Sequence, residues 1–482
     1  MNADVVVVGA GPVGLTLATE LRLAGAQVVV VEKLAQRSGQ SKALNLQPST
    51  AGVLDLRGLL SRANERSFGR FDGGHFAALH LCYEGLETRY PYQVAVLQGR
   101  VEIVLEERLA ELGGELHRGW ELTGVEQDDI GVTVYGPETL RTRYLVGCDG
   151  GRSTVRKRLS VAFPGADEGS IFAVCDVVLS DGTKKLPTVF TPFGDMRGGG
   201  AGSFAMVVPI GEPGLCRMTF VDHKSERTEV TRDEVARAVQ TFYGADYNFV
   251  ELRYASRHSN SSRQAETYRV GRAFLAGDAA HVHPSVGAQA LNLGMQDAFN
   301  LGWKLGAVVT GRMPESLLDT YHAERHPVGA RVIDNTRAQS ALLGRDPEHA
   351  ALRDIFKRLL DIPEANRFIA DMIAGTDVDY GGPGHTGTRL PDFPIGSGWA
   401  SDLFHAGHGV LFARDSALLA PSDPWADRVA AVLVDALPWA DVEAVLVRPD
   451  GYACWTAPGP DLTTSLRTWF GEAPSAHYAT SS

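Results

Sequence analysis

The first forty residues constrain this chain more than any other stretch. Four valines, Val5–Val8, run straight into Gly9-Ala-Gly11-Pro-Val-Gly14, and an apolar helical segment, Leu15–Ala24, closes at Gly25. A second valine run, Val28–Val31, ends in Glu32, eighteen residues after Gly14. β-Branched side chains on both faces are what a strand inside a parallel sheet needs. Between two such strands, Gly9 permits a tight turn, Gly11 lets a pyrophosphate approach the backbone, and Gly14 lets helix and strand pack closely. The helix N-terminus then faces the pyrophosphate, and Glu32 accepts from an adenosine ribose. The spacing predicts a Rossmann-type dinucleotide-binding unit. Gly382-Pro-Gly384-His-Thr-Gly387 fits the same string, but it follows Asp-Val-Asp-Tyr and runs into Pro391, so it reads as a loop.

Two later strands also end in acidic turns. Tyr144–Cys148 leads into Asp149-Gly150-Gly151-Arg152-Ser153, and Arg272–Ala276 leads into Gly277-Asp278-Ala-Ala-His281. A carboxylate after a buried strand can bind diol hydroxyls. The helix beginning near Asn292 aims its positive end at whatever lies in the crevice. No second competent Rossmann motif follows.

These three motifs, in this order, resemble those of the group A flavoprotein monooxygenases, the single-component FAD-dependent aromatic hydroxylases. The likeness continues through Asn292–Leu305, Tyr321–Pro327, Arg389–Asp392 and Val447–Trp455, the last two similar to the subgroup acting on aromatic polyketides in antibiotic biosynthesis. The resemblance implies FAD as cofactor, NADPH or NADH as a transient reductant, and O2 as co-substrate. The implied reaction is insertion of one oxygen into a polycyclic aromatic polyketide through a flavin C4a-hydroperoxide, as ring hydroxylation. Baeyer–Villiger oxidation, ring cleavage, or a flavoprotein without productive monooxygenation stay open as alternatives. The implied cofactor set is Gly9, Gly11, Gly14, Glu32, Lys33, Lys42, Gln98, Asp149, Asp278, Pro284, Gly287, Ala288, Leu291 and Asn292. Within it, Asp278 would hold the ribityl chain, Gln98 would touch the flavin's inner side, and Asp149 would lie near the pyrophosphate. Three departures stand out: Gly287-Ala288-Gln289-Ala290 where the family has Gly-Gly-Gln-Gly, Ser285 in place of a second proline, and Lys42 where many relatives carry arginine. The extra methyls bear on flavin mobility, since they restrict the backbone.

The expected fold is α/β: a discontinuous FAD-binding domain (1–175 and 265–340), an inserted mixed-sheet substrate domain (176–264), a helical connector and loop (341–399), and a thioredoxin-like C-terminal domain (400–482). Gly202–Pro209 and Leu215–Phe220, joined through Gly211-Glu-Pro-Gly214, read as a hairpin of the inserted layer. Phe193, Met196, Phe204, Met206, Phe220 and Ser285 are candidate substrate-pocket residues, and Arg197 reads as a loop arginine. No catalytic acid or base is assigned, because the chemistry needs binding, orientation and exclusion of water. His322 and His326 precede Pro327, which is expected to end their helix, and the sequence His-Ala-Glu-Arg-His is not a zinc motif. No metal is expected.

Glycine is over-represented, 53 of 482 residues, without a G-x-y period, so it marks turns and close approaches. The net charge of −12 without a basic run argues against nucleic acid and anionic membranes as partners. Cys82, Cys148, Cys175, Cys216 and Cys454 are dispersed, with no C-x-x-C, which implies a reducing cytoplasm. No basic leader or membrane-spanning apolar run is apparent in the sequence. A homodimer is left open.

Overall fold

The two valine runs form adjacent parallel strands, β1 (Ala3–Val8) and β2 (Val28–Glu32), linked by helix α1 (Pro12–Leu23), with Val5–Val8 opposite Val28–Val31. The computed structural model describes residues 3–37, 39, 42–191, 194–198, 203–222, 229–344 and 346–473. Helix α2 (Gln98–Glu111) leads to β3 (Glu115–Arg118), and β4 (Thr139–Gly147) inserts beside β1. The chain then leaves for a second layer: β5 (Gly165–Asp181), β6 (Asp195–Gly198), β7 (Phe204–Pro209), β8 (Leu215–Asp222), helix α3 (Arg232–Tyr243) and β9 (Tyr247–Gln264). It returns through β10 (Ala273–Leu275), giving the parallel order β10-β4-β1-β2-β3. The C-terminal ends of β10, β4, β1 and β2 therefore share one edge, where ligands of open α/β sheets bind.

The inserted sheet runs β6-β7-β8-β5-β9, with His281–Val282 at its edge. It was expected to be mixed, yet every described pairing is antiparallel. Hairpins and long returns join these strands, and antiparallel pairing follows from such connections. Its first strand starts at Gly165, ahead of the expected boundary at 176. One face is closed by α3, whose Val235, Ala238, Val239 and Tyr243 pack on Ala173, Cys175, Val177, Ala205, Val207, Cys216, Met218 and Phe220.

Helices α4 (Ala290–Val309) and α5 (Asp319–Leu342) complete the first layer, followed by α6 (Pro347–Leu360) and α7 (Pro363–Ala374). Pro327 does not end its helix but lies inside α5, which buried Tyr321, Arg325, Val328 and Ile333 hold on both sides of it. Packing there outweighs the missing hydrogen bond. The C-terminal unit has β11 (Gly409–Ala413), β12 (Val429–Leu433), β13 (Ala444–Val447), β14 (Ala453–Ala457) and helix α8 (Leu462–Phe470). Its order β12-β11-β13-β14 has one parallel and two antiparallel pairings, a thioredoxin-like sheet whose first connection is made of 3-10 turns. No helix among the described residues is long and apolar enough to cross a membrane.

Buried charges fasten this unit to α4 and α5. Glu324 lies 2.7 Å from both Lys304 Nζ and Arg448 Nη1. Burial pushes the Glu324 carboxyl up, but Arg448 and Lys304 outweigh it and hold it at about 2, below its ordinary 4.5. A depressed carboxyl stabilises the fold above its unfolded value and ceases to do so as pH falls through the folded one. Denaturant unfolding of the wild type is therefore expected to lose on the order of 3 kcal/mol between pH 4.5 and 2 from this group. Glu324→Gln should flatten that part of the profile, and an unchanged acid limb would contradict the assignment.

Candidate active site

At the end of β1 the backbone turns at Gly9, whose φ is +107°, and a Cβ there would overlap the Cys148 carbonyl oxygen. A Cβ on Gly14 would overlap the Gly9 carbonyl oxygen, so α1 sits directly on the turn. Gly11 has nothing within 4 Å of its Cβ position, so a ligand can reach the backbone there. Gly11 is also the N-cap of α1, Pro12 is the first helical residue, and no side chain caps the helix. The first-turn N–H groups therefore lack helix acceptors and await an anion. The Glu32 carboxylate accepts from Ala10 N and Leu34 N, both at 2.9 Å, which fixes it beside the turn with lone pairs left for a diol. Lys33 and Lys42 are exposed on the loop that follows.

Asp149, after β4, accepts from Thr154 N (2.6 Å) and Val155 N (3.1 Å) and so caps the short helix Thr154–Arg158. Gly150, at φ +80°, leaves open space on the crevice side. After β10, Gly277 carries the turn that exposes Asp278 at the same edge. Beneath it, Asp297 Oδ2 accepts from Gly277 N (3.2 Å) and meets His281 Nε2 (2.6 Å), while Asp297 Oδ1 accepts from Arg325 Nε (2.7 Å). All three side chains are fully buried. Burial pushes Asp297 up, yet Arg325 and His281 outweigh it and keep the carboxyl below its usual range.

The fourth wall is the loop into α4. Gly287 (φ +79°) and Ala288 (φ +53°) are consecutive left-handed residues, and α4 starts at Ala290 without a side-chain cap. Asn292 Oδ1 accepts from Gln47 N (2.8 Å), and its Nδ2 donates to Ala288 O (2.9 Å). Gln47 Nε2 donates to Gly287 O (3.3 Å), and Tyr83 OH donates to Gln47 Oε1 (2.9 Å). Pro284 and Leu291 are buried beside this loop, and Ser285 is exposed. Gln98, at the start of α2, accepts from Ala43 N (3.3 Å) and donates to Glu102 (2.8 Å), so it braces the neighbouring strand connection. A methyl group on a left-handed backbone costs roughly 1 kcal/mol. Ala288→Gly is thus expected to raise the thermal midpoint by about 1–2 °C, and a lower midpoint would show that the methyl contributes packing instead.

The face of the inserted sheet away from α3 packs toward the first layer through Leu44, Phe68, Phe71 and Ala95. Strand register sets Met206 beside Thr219 and Val174 beside Thr219, and Phe172 opposite both Val221 and His258. Phe204 and Met206 share that face with Phe172, Val174 and Val221, as alternation along the strands requires. Met206 and Val208 pack with Leu44, Phe68, Phe71, Ala95 and Phe190, residues that no sequence signal singled out. Met196 pairs with Met206 at the exposed edge strand. Phe220 is a correction: it pairs with Ala205 and is buried against α3, on the opposite face. Arg197 is no free loop arginine, since it contacts Asp195 at 2.7 Å and Asp246 at 2.8 Å on that same far face. Phe193 lies outside the described residues. A cleft of about 940 Å³ lined by Gln127, Arg269, Arg272 and Glu315 lies at the other end of β10, with both arginines paired to Glu315.

Two uncapped helix N-termini, an open glycine backbone and three carboxylates, Glu32, Asp149 and Asp278, at one sheet edge suit a dinucleotide. The chain matches the family described as FAD binding domain over residues 2–336 and that described as aromatic-ring hydroxylase, C-terminal, over residues 384–473. It is 44% identical to an anhydrotetracycline monooxygenase of Streptomyces rimosus, covering 98% of this chain and 99% of that one. A rifampicin monooxygenase of Streptomyces venezuelae is 43% identical, with 98% and 99% covered. The solved structure of OxyS anhydrotetracycline hydroxylase from Streptomyces rimosus superposes with a TM-score of 0.89 at 43% identity, over 98% of this chain and 100% of that one. The chain therefore belongs to the FAD-dependent aromatic-ring hydroxylases, a family of flavoprotein monooxygenases.

Proposed function

We propose that this enzyme hydroxylates a ring of a polycyclic aromatic polyketide, with FAD as cofactor, NADPH or NADH as reductant, and O2 as the oxygen source. The observation that carries the substrate class is the apolar face of Phe172, Val174, Phe204, Met206 and Val221, on the side of the inserted sheet turned away from α3 and toward the first layer. A broad apolar floor suits a flat fused-ring molecule, held mainly by desolvation. The names of two relatives give anhydrotetracycline and rifampicin as the compounds they oxygenate.

When bound, FAD would carry the two electrons from NAD(P)H that activate O2, and one atom of that O2 would be the oxygen transferred. The protein's part is to bind, orient and exclude water. In this reading the first turn of α1 with Gly9, Gly11 and Gly14 binds the pyrophosphate, Glu32 and Lys33 the adenosine end, and Asp278 the ribityl hydroxyls. The α4 N-terminus, with Leu291 and Asn292 beside Gly287 and Ala288, faces the ring's pyrimidine edge and stabilises charge there. Pro284 and Ser285 border the substrate side, Gln98 the flavin's inner side, and Asp149 both the pyrophosphate and the approach of the reductant. The divisions 1–175 with 265–340, 176–264, 341–399 and 400–482, the first boundary drawn back to Gly165 where the inserted sheet begins, then separate cofactor, substrate, connecting and C-terminal roles. Five unpaired thiols support the cytoplasm as the working compartment.

The test is product analysis across a panel of polycyclic phenols and quinones. The purified protein should be yellow, should oxidise NAD(P)H faster with substrate, and should add one oxygen to an intact ring system. A lactone or opened ring would replace hydroxylation by Baeyer–Villiger or cleavage chemistry, and peroxide without product would reject productive monooxygenation.

A further inference from the structure

The C-terminal unit has no dithiol: its single Cys454 is half-buried, with its thiol against Leu446 O. Beside an apolar seam with Val53, Leu56 and Phe299, it thrusts the tripeptide Arg448-Pro449-Asp450 into the cofactor layer. Arg448 is 2% exposed and sits among the rings of Trp469 (4.6 Å from the centroid), Trp303 (5.4 Å), Tyr380 (5.4 Å) and Tyr452 (5.6 Å). It donates to both oxygens of Glu324 (2.7 and 3.0 Å) and both of Asp450 (2.6 and 3.0 Å). Lys304, on α4, completes this cluster through Glu324 and Asn300.

Two routes lead from the tripeptide to the crevice. On one, the Tyr380 ring under Arg448 accepts from Arg325 Nη1 at its hydroxyl (3.2 Å), and Arg325 holds Asp297, which holds Gly277 N and His281. On the other, Pro449 O accepts from Arg57 Nη2 (3.0 Å), and Arg57 forks onto Glu20 of α1 at 2.7 and 2.8 Å. The same guanidinium lies 4.4 Å from the ring centroid of Phe299 on α4. Both helices whose uncapped ends face the crevice, and the Gly277 turn between them, are thus tied to three consecutive residues of the distant unit.

We infer that Arg448-Pro449-Asp450 is a positioning clamp, through which the C-terminal unit fixes α1, α4 and the Gly277-Asp278 turn in the geometry that binds FAD. Low-dielectric surroundings make such a network stiff, because any displacement leaves a buried charge unpaired. The unit then acts on the cofactor without touching it. This inference rests on FAD occupying the crevice, as the family assignment states.

Apoprotein titrated with FAD, followed by quenching of flavin fluorescence, tests it. Arg448→Met is expected to raise the FAD Kd about tenfold or more, as loss of supporting contacts does at other cofactor sites. Arg448→Lys, which keeps the charge but not the fork, should fall between Met and wild type. Leu466→Ala, in the core of the same unit and making none of the network's hydrogen bonds or ion pairs, should lower thermal stability yet leave the Kd within about twofold. Tyr380→Phe should also weaken FAD, and its factor combined with Arg448→Met should be smaller than the product of the two. The clamp is overturned if Arg448→Met changes the Kd no more than Leu466→Ala does, or if the two factors simply multiply. If Arg448→Met does not fold, a wild-type Kd in Arg448→Lys overturns it equally. Wild-type apoprotein that takes up no FAD would overturn both this inference and the cofactor reading, and is told apart by that control alone.

Discussion

Gly11→Ala is expected to abolish tight FAD binding in a protein that folds normally, whereas Gly14→Ala should fail at folding itself. The difference lies in what the added methyl meets. At Gly11 no protein atom lies within 4 Å of the Cβ position, and the backbone φ is an ordinary negative one. The methyl therefore costs the apoprotein nothing and occupies only the space a pyrophosphate needs against the α1 N-terminus. Losing that approach should raise the FAD Kd on the order of a hundredfold, equivalent to about 3 kcal/mol. At Gly14 the methyl overlaps the Gly9 carbonyl oxygen, a backbone atom no rotamer change can move. Helix α1 would have to lift from β1, breaking a core that includes Leu15, Leu17, Ala18 and Leu21, with a cost of about 3 kcal/mol or more. Thermal unfolding of the two apoproteins beside FAD titration separates the cases. Gly11→Ala with wild-type affinity would place the pyrophosphate elsewhere.

Asp297→Asn is the second large effect. Arg325 and Asp297 are both fully buried, and the amide leaves the guanidinium without its counter-charge. Breaking a buried pair from one side typically costs about 3–5 kcal/mol, mostly the unpaired charge left behind. The same change weakens the acceptor that Gly277 N and His281 share, so FAD affinity should fall along with stability. Denaturation with and without FAD reads both. A variant as stable as wild type would mean that the triad is not the anchor of the Gly277 turn.

The sequence made the cofactor crevice legible because a dinucleotide constrains backbone, and only certain residues satisfy such constraints. Gly9, Gly11 and Gly14 can be assigned one by one from spacing, and the structure gives each the surroundings its task requires. The inserted sheet was less legible. In Leu215-Cys-Arg-Met-Thr-Phe220 both alternating sets contain apolar members, so the pattern does not say which face meets substrate. The answer lies in α3, whose apolar stripe covers Met218 and Phe220 and leaves Thr219 and Val221 free. The amide contacts of Asn45, Gln47 and Asn292 gave no signal either, since their partners lie more than two hundred residues apart and follow no spacing. Arg448 and Asp450 were visible as part of a shared motif, but their task was not, because it depends on Glu324, Tyr380 and Arg57 brought in from three other segments.

The central claim is that this chain transfers one oxygen atom from O2 to an aromatic ring. Turnover under oxygen-18 gas, with NADPH and a polycyclic phenol, tests it most directly by mass spectrometry of the product. The expected product carries a single oxygen-18 atom on an intact fused-ring skeleton, formed in step with NADPH consumption. A product without label, or substrate recovered unchanged while peroxide accumulates, would contradict it.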